Sequence, residues 1–242
     1  VARVQSLKKG LVVSDLHLFS ARSSGEKLLE DLSPILRRVD LLVLNGDTFD
    51  FRWSTLASEH ETLVAARWHL ERWLKLFEGR EIHYVIGNHD CLVGHCAILA
   101  EMAAASETLK VHEREFVLGD SLFLHGDCAN RGMSPARLDA YREAWSRDRQ
   151  RGAVGRGFYR VVDATGAGLM FHRVYFPQAA TVARVSGYLD QALPQWREGI
   201  RNCYFGHTHM PFRDHEVGGV RFHNTGSGTR GMGFNPLEFE IP

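Results

Sequence analysis

The sequence predicts an α/β fold in one large domain. Three observations predict it. Short, mainly apolar runs recur at residues 11–13, 41–44, 82–86, 122–124 and 203–205, as strands buried on both faces of a sheet require. Stretches of helical spacing lie between several of these runs. The length of 242 residues suits one α/β domain or a domain carrying an insert.

Composition narrows the class. Hydrophobic content of 44% and charged content of 24% are ordinary for a soluble globular protein. Formal net charge is zero, so bulk electrostatics do not point to nucleic acid or an anionic membrane. No apolar run approaches the roughly 20 residues of a membrane span. Residues 1–10 lack the apolar centre of a signal peptide. The four cysteines, Cys91, Cys96, Cys128 and Cys203, form no CxxC pair, which suggests reduced thiols and a cytoplasmic location.

Each element can then be taken in order. Residues 11–13 run into Ser14, Asp15, Leu16, His17 and Leu18. In an extended segment Asp15 and His17 would project to one face and reach one ion; a Ser/Asp turn with a surface histidine is the alternative. Residues 26–39 have helical spacing, with Pro34 marking a kink or restart. The run at 41–44 ends in Asn45, Gly46 and Asp47, with Asp50 three residues on. Residues 55–79 give the longest helical signal. Leu63, Leu70, Leu74 and Phe77 form its stripe, Trp73 lies beside it, and His60 and His69 fall on its surface. A third strand ends in Gly87, Asn88, His89 and Asp90, where Gly-Asn alone also makes ordinary turns. A short Ala-rich helix is expected over residues 94–105, and a hairpin over 116–124 with Gly119 and Asp120 at its turn. That hairpin runs into His125, Gly126 and Asp127.

The texture changes at about residues 130–200. The charge there is dominated by arginine, including Arg131, Arg137, Arg142, Arg173 and Arg184, without lysine. Phe158, Tyr159, Leu169, Met170, Phe171 and Phe176 add apolar surface. Lying between two ligand-bearing strands, this stretch is expected to cap their ends; a helical excursion packed on the side of the domain is the alternative. A fifth strand then ends in Gly206, His207, Thr208 and His209, and late strands alternate at 220–227 and 237–241. His223 belongs to the first of these.

Five strand ends thus carry carboxylates, imidazoles or an amide. Open α/β sheets keep their sites at such ends. The donor set suits borderline to hard divalent ions, with manganese ahead of iron, zinc, cobalt and nickel. Its size fits two ions, held roughly 3.5–4 Å apart by a bridging carboxylate, for which Asp47 is the central candidate.

These motifs, over residues 11–209, resemble the calcineurin-like metallophosphoesterase family in order and kind. The resemblance implies a four-layer αββα sandwich with a helical cap insertion. It implies that Asp15, His17, Asp47 and His209 hold one ion, and Asp47, Asn88, His125 and His207 the other. His89 matches the histidine beside the scissile phosphate, and Asp50 the aspartate that pairs with it. The chemistry implied is hydrolysis of a phosphodiester or diphosphate by a hydroxide bridging the two ions. His89 would serve the leaving oxygen, and cap arginines would hold phosphates that do not react.

Within the family, Ser14 to Leu18, Leu44 to Phe51, the long insert and Asn224 to Ser227 look like the subgroup of UDP-2,3-diacylglucosamine pyrophosphatases. That subgroup implies a lipid-nucleotide substrate, acyl chains held by the cap and peripheral contact with a membrane. His89 departs from it, since many such enzymes have arginine there. The alternatives are a phosphomonoesterase or nuclease of the same fold, which keeps nucleic acid among the candidate partners, and a metal-free scaffold.

Overall fold

The computed structural model describes residues 7–152 and 167–241. Phe158 and Tyr159 lie outside them. The chain forms β1 (Lys8–Val13), α1 (Gly25–Asp31), α2 (Ser33–Leu36), β2 (Leu41–Asn45), α3 (Glu59–Leu76), β3 (Glu81–Val85), α4 (Val93–Ala105), β4 (Leu109–His112), β5 (Glu115–Leu118) and β6 (Ser121–Leu124). A 3-10 turn at Asp127–Asn130, α5 (Pro135–Ser146), α6 (Ala167–Tyr175), α7 (Gln178–Ala192), β7 (Asn202–Phe205), β8 (Phe212–Val217), β9 (Val220–Asn224) and β10 (Leu237–Ile241) complete it.

The strands make two five-stranded sheets, ordered β10-β1-β2-β3-β4 and β5-β6-β7-β9-β8. β1, β2 and β3 are parallel neighbours, as are β6 and β7. Parallel pairing brings their C-terminal ends to a common edge. The sheets pack face to face through Val12, Leu41, Val43, Phe123, Tyr204 and Phe239. Helices α1–α4 cover the first sheet through residues such as Leu36, Leu70, Phe77 and Leu99. The second is covered by α5 and α7, through Leu138, Val182, Val185, Tyr188 and Leu189. The layers are therefore helix, sheet, sheet, helix, the expected αββα sandwich. Each such fully buried Leu, Val or Phe contributes about 1.5–3 kcal/mol by leaving water.

One row of side chains crosses the second sheet on its inner face. Phe116, Phe123, Tyr204 and His223 sit on successive paired rungs of β5, β6, β7 and β9. Their rings stack at centroid separations of 4.9, 5.0 and 4.7 Å. His223 is thus a late-strand residue inside the sandwich.

Local departures have physical causes. Pro34 does restart the first helix, for α1 stops at Asp31 and α2 begins at Ser33. α3 begins only at Glu59, where the Ser58 side chain caps the Glu61 amide. Its buried face runs through Thr62, Ala66, Leu70 and Trp73, leaving Leu63 and Leu74 at the margin. His69 is half-buried rather than a surface residue, because Phe19, Phe49 and Trp73 surround its ring at 5.6–6.2 Å.

Candidate metal centre

The strand-end residues converge, but by a different backbone route from the one extended spacing suggests. Asp15, His17, Asp47, His207 and His209 all have positive φ, between 47 and 64°. Non-glycine residues rarely adopt this left-handed conformation, and it persists only where surroundings enforce it. Here the chain turns at each of these five residues rather than running straight between them. Amides and buried polar groups hold those turns. The Asp15 and His17 amides donate to the Gly46 and Asp47 carbonyls at 3.0 and 2.9 Å. Asp47 Oδ1 accepts the His89 amide, and Asp15 Oδ2 accepts the His207 amide, both at 2.8 Å. Two glycines are needed for room. A Cβ on Gly87 would collide with the Asp47 carboxylate, and one on Gly206 with Asp15 and Ser14. Asn224 and Ser227 buttress the edge by bonding the Gly206 and Asp15 carbonyls at 2.8 and 3.0 Å.

Asp90, the last residue of the third strand-end motif, has a structural task. It accepts bonds from the Gly87 and Thr48 amides and the Tyr84 hydroxyl at 2.6, 2.8 and 2.7 Å. It thereby ties the Asp47 and Asn88 loops together.

Among the described residues, three groups of donor atoms lie close enough to hold a metal: Asp15, His17 and His209; His17, Asp47 and His89; and Asp47, His125 and His207. Asp47 Oδ2 is 3.3 Å from His125 Nε2 and 3.8 Å from His17 Nε2, and so faces two groups at once. Asn88 Oδ1 joins the second side, 3.3 Å from His125 Nε2. Two observations show that the set fits a cation. The Nε2 atoms of His17 and His209 face each other at 3.1 Å. Asp15 Oδ1 is buried and makes no hydrogen bond, although His209 Nε2 lies 3.2 Å away. Converging nitrogens and an orphaned carboxylate oxygen form a cage in which a cation satisfies all of them.

The electrostatics agree. Burial opposes ionisation of Asp47, but the His125 and His89 imidazoles outweigh it and hold its carboxyl well below the usual range. Burial likewise opposes protonation of His89, yet Asp50 and Asp47 raise it to about 9. His125 rises to about 10, chiefly because Asp47 outweighs its burial. Without metal, protons on imidazoles supply the positive charge the carboxylates demand. Bound cations would supply it instead and displace those protons.

Several contacts were not foreseen from sequence. Besides His89, whose Nδ1 lies 3.1 Å from its Oδ1, Asp50 also serves His17, with Oδ2 3.4 Å from His17 Nδ1. Trp145 of α5 packs on His89 at 4.8 Å, and Arg52 lies 4.4 Å over the Trp145 ring. His172 of α6 stacks on His209 at 4.8 Å, its Nδ1 3.0 Å from the Thr208 carbonyl. Asn130 Oδ1 lies 2.9 Å from His207 Nε2. Of the contacts made by the 130–200 stretch, only that of Asn130 carried a local signal, an amide five residues after His125; the others depend on how that stretch packs.

A cavity of about 800 Å³ opens over this edge, lined by His89, His207 and His209 at its base and by Arg131, Arg137, Tyr141, Trp145 and Tyr175 above. Among the described residues no helix is long and apolar enough to cross a membrane.

A family model described as calcineurin-like phosphoesterase matches residues 9–211. Among solved structures, the chain is similar to Yfce, a phosphoesterase from E. coli, at 15% identity and a TM-score of 0.38, over 92% of this chain and 82% of that one. It is also similar to a dimetal phosphatase from Danio rerio at 11% identity and a TM-score of 0.44, over 92% and 88% of the two chains. No curated protein matches the chain.

Proposed function

Because the chain belongs to the calcineurin-like phosphoesterase family, and is thereby a metal-dependent phosphoester hydrolase, we propose that it works through two divalent ions at this edge. Asp15, His17, Asp47 and His209 hold one ion, and Asp47, Asn88, His125 and His207 the other, with manganese the first candidate. The observation that carries this is Asp47, whose Oδ2 faces donor groups on both sides at 3.3 and 3.8 Å. When bound, the ions supply an activated water and neutralise charge on the phosphoryl oxygens. The chain supplies the rest. His89 sits beside the cavity with Asp50 on its Nδ1. Asp50 fixes the ring and favours its protonated form, so that its other nitrogen can give a proton or charge to the leaving oxygen.

The substrate we propose is a phosphodiester or diphosphate that also carries an apolar group, such as a lipid-linked nucleotide. Arg131 and Arg137 line the cavity, and neither makes an ion pair with a described residue, leaving both guanidinium groups to take a second phosphate. α6 presents Met170, Phe171 and Val174 at 71, 57 and 74% exposure, with Phe171 at the cavity. An exposed apolar ridge of this kind suits acyl chains or a membrane surface. On this reading, α5 and α6 cap the site.

A substrate panel with manganese tests it: UDP-diacylglucosamine, nucleotide diphosphate sugars, cyclic nucleotides, phosphomonoesters and single-stranded DNA. Preference for the amphiphilic diphosphate is expected. Preference for a phosphomonoester or DNA would overturn the substrate, and no metal bound with no activity would overturn the centre.

A further inference from the structure

His207 faces the centre through Nδ1. That atom lies 3.2 Å from His125 Nε2, and His207 forms a donor group with Asp47 and His125. Its other ring nitrogen, Nε2, faces Asn130 Oδ1 at 2.9 Å. An amide oxygen can only accept, so Nε2 carries the ring hydrogen. The neutral ring has one hydrogen, and Nδ1 therefore keeps the lone pair that coordination requires.

Asn130 is itself fixed. Its Nδ2 donates to the Tyr141 hydroxyl at 3.2 Å, which turns Oδ1 toward His207. Its carbonyl accepts the Tyr175 hydroxyl at 3.0 Å. It ends the 3-10 turn that begins at Asp127. Arg142 of α5 grips that aspartate with two bonds of 2.7 and 2.9 Å. α5 and α6 thus meet at one residue, and its side-chain amide touches a ligand-type histidine.

The other histidines of the centre are held differently. His17 Nδ1 is 3.4 Å from Asp50 Oδ2, and His125 Nδ1 is 3.2 Å from the Asn45 carbonyl. His209 Nδ1 is buried with no hydrogen-bond partner. Among the described residues, only His207 has its outer hydrogen bond made by the 130–200 stretch, which reaches His209 through the ring of His172 alone.

We infer that Asn130 is a positioning residue that selects the metal-binding tautomer of His207 and couples the second ion's shell to α5 and α6. The inference rests on the two-ion reading above. Outer partners of ligating histidines typically matter by about 10–100-fold in metal affinity.

The test uses the full chain, stripped of metal and titrated calorimetrically with manganese. Asn130→Ala should bind one of two ions about 10–100-fold more weakly, whereas Asn130→Asp, which keeps an acceptor, should bind both at least as well as the parent. Imidazole nitrogen NMR on the metal-free parent should place the His207 hydrogen on Nε2, and Asn130→Ala should show a mixture of tautomers. Unchanged affinity in Asn130→Ala, or equal loss in Asn130→Asp, overturns the inference. So does an Nδ1–H tautomer in the parent, which decides the matter even if Asn130→Ala does not fold. A parent that binds no manganese fails the two-ion reading as well, so the two failures are distinguishable.

Discussion

The rim of the metal centre and the interior behind it are both rich in histidine, and the two sets differ in what faces them. At the rim, His89 and His125 look onto Asp47, with Asp50 beside His89, and their protonated forms are stabilised to about 9 and 10 despite burial. In the interior, His95 meets the Tyr84 hydroxyl, Phe49 and Phe51. Burial, unopposed there, pushes it down to about 3. His112 and His223 fall to about 4 for the same leading reason. His207 belongs to the rim yet is also held neutral, at about 3, because burial and the neighbouring His125 outweigh Asp127 and Asp47. Burial alone therefore does not make a histidine a charged group or a ligand. A carboxylate on the same ring does the first, and convergence on a shared point does the second.

The comparison can be broken most severely at Asp47. Asp47→Ala should lose at least one ion and cut kcat/KM on bis(p-nitrophenyl) phosphate by at least about 10³-fold. Full metal content by elemental analysis would remove Asp47 from its shared position. His89→Ala should keep both ions and lose about 10²–10⁴-fold in turnover, most for poor leaving groups. Loss of metal in that variant would make His89 a ligand, as its place in one donor group with His17 and Asp47 allows.

On the interior side, Phe123→Ala should cost about 3–5 kcal/mol in urea unfolding, since it empties the middle of the stacked row. Activity per folded molecule should survive. A fall in activity greater than the fall in folded fraction would mean that the row also shapes the rim.

The smallest effect is on pH. The folded His95 stays neutral until pH falls to about 3, whereas the unfolded one takes a proton from its ordinary value of 6.5 downward. The stability it contributes is complete above pH 6.5 and lost as pH falls toward 3. That amounts to about 2 kcal/mol by pH 5. Metal-free His95→Phe should therefore lose less stability than the parent between pH 8 and pH 5. Parallel curves would show that His95 is protonated or solvated in the folded state.

Much of the rim was legible because each ligand-type residue lies within a few positions of the strand that carries it. Apolar runs located the strands, and the polar residues after them located the edge. The helical layer on the second sheet was less legible, because α7 lies in the arginine-rich stretch whose composition suggests a cap, yet Val182, Val185 and Leu189 are built into the sandwich. β8, whose residues are exposed or half-buried and mostly polar, gave no apolar run to find. Asp15 and His17 do meet one partner, His209, but through left-handed turns that spacing cannot reveal. Trp145 and His172 were invisible as site neighbours because their approach to the rim depends on how α5 and α6 dock.

The donor set is divided between the two sheets. Asp15, His17, Asp47 and Asn88 follow strands of the first, and His125, His207 and His209 follow strands of the second. A chain emerging from synthesis completes the first share long before residue 207 exists. High-affinity coordination therefore reports that both halves have folded and closed on each other. A bound ion also lowers the free energy of the closed state alone. On the proposed two-ion reading, metal would act as a late clasp on assembly, and its withdrawal should loosen the contact between the sheets before either sheet comes apart.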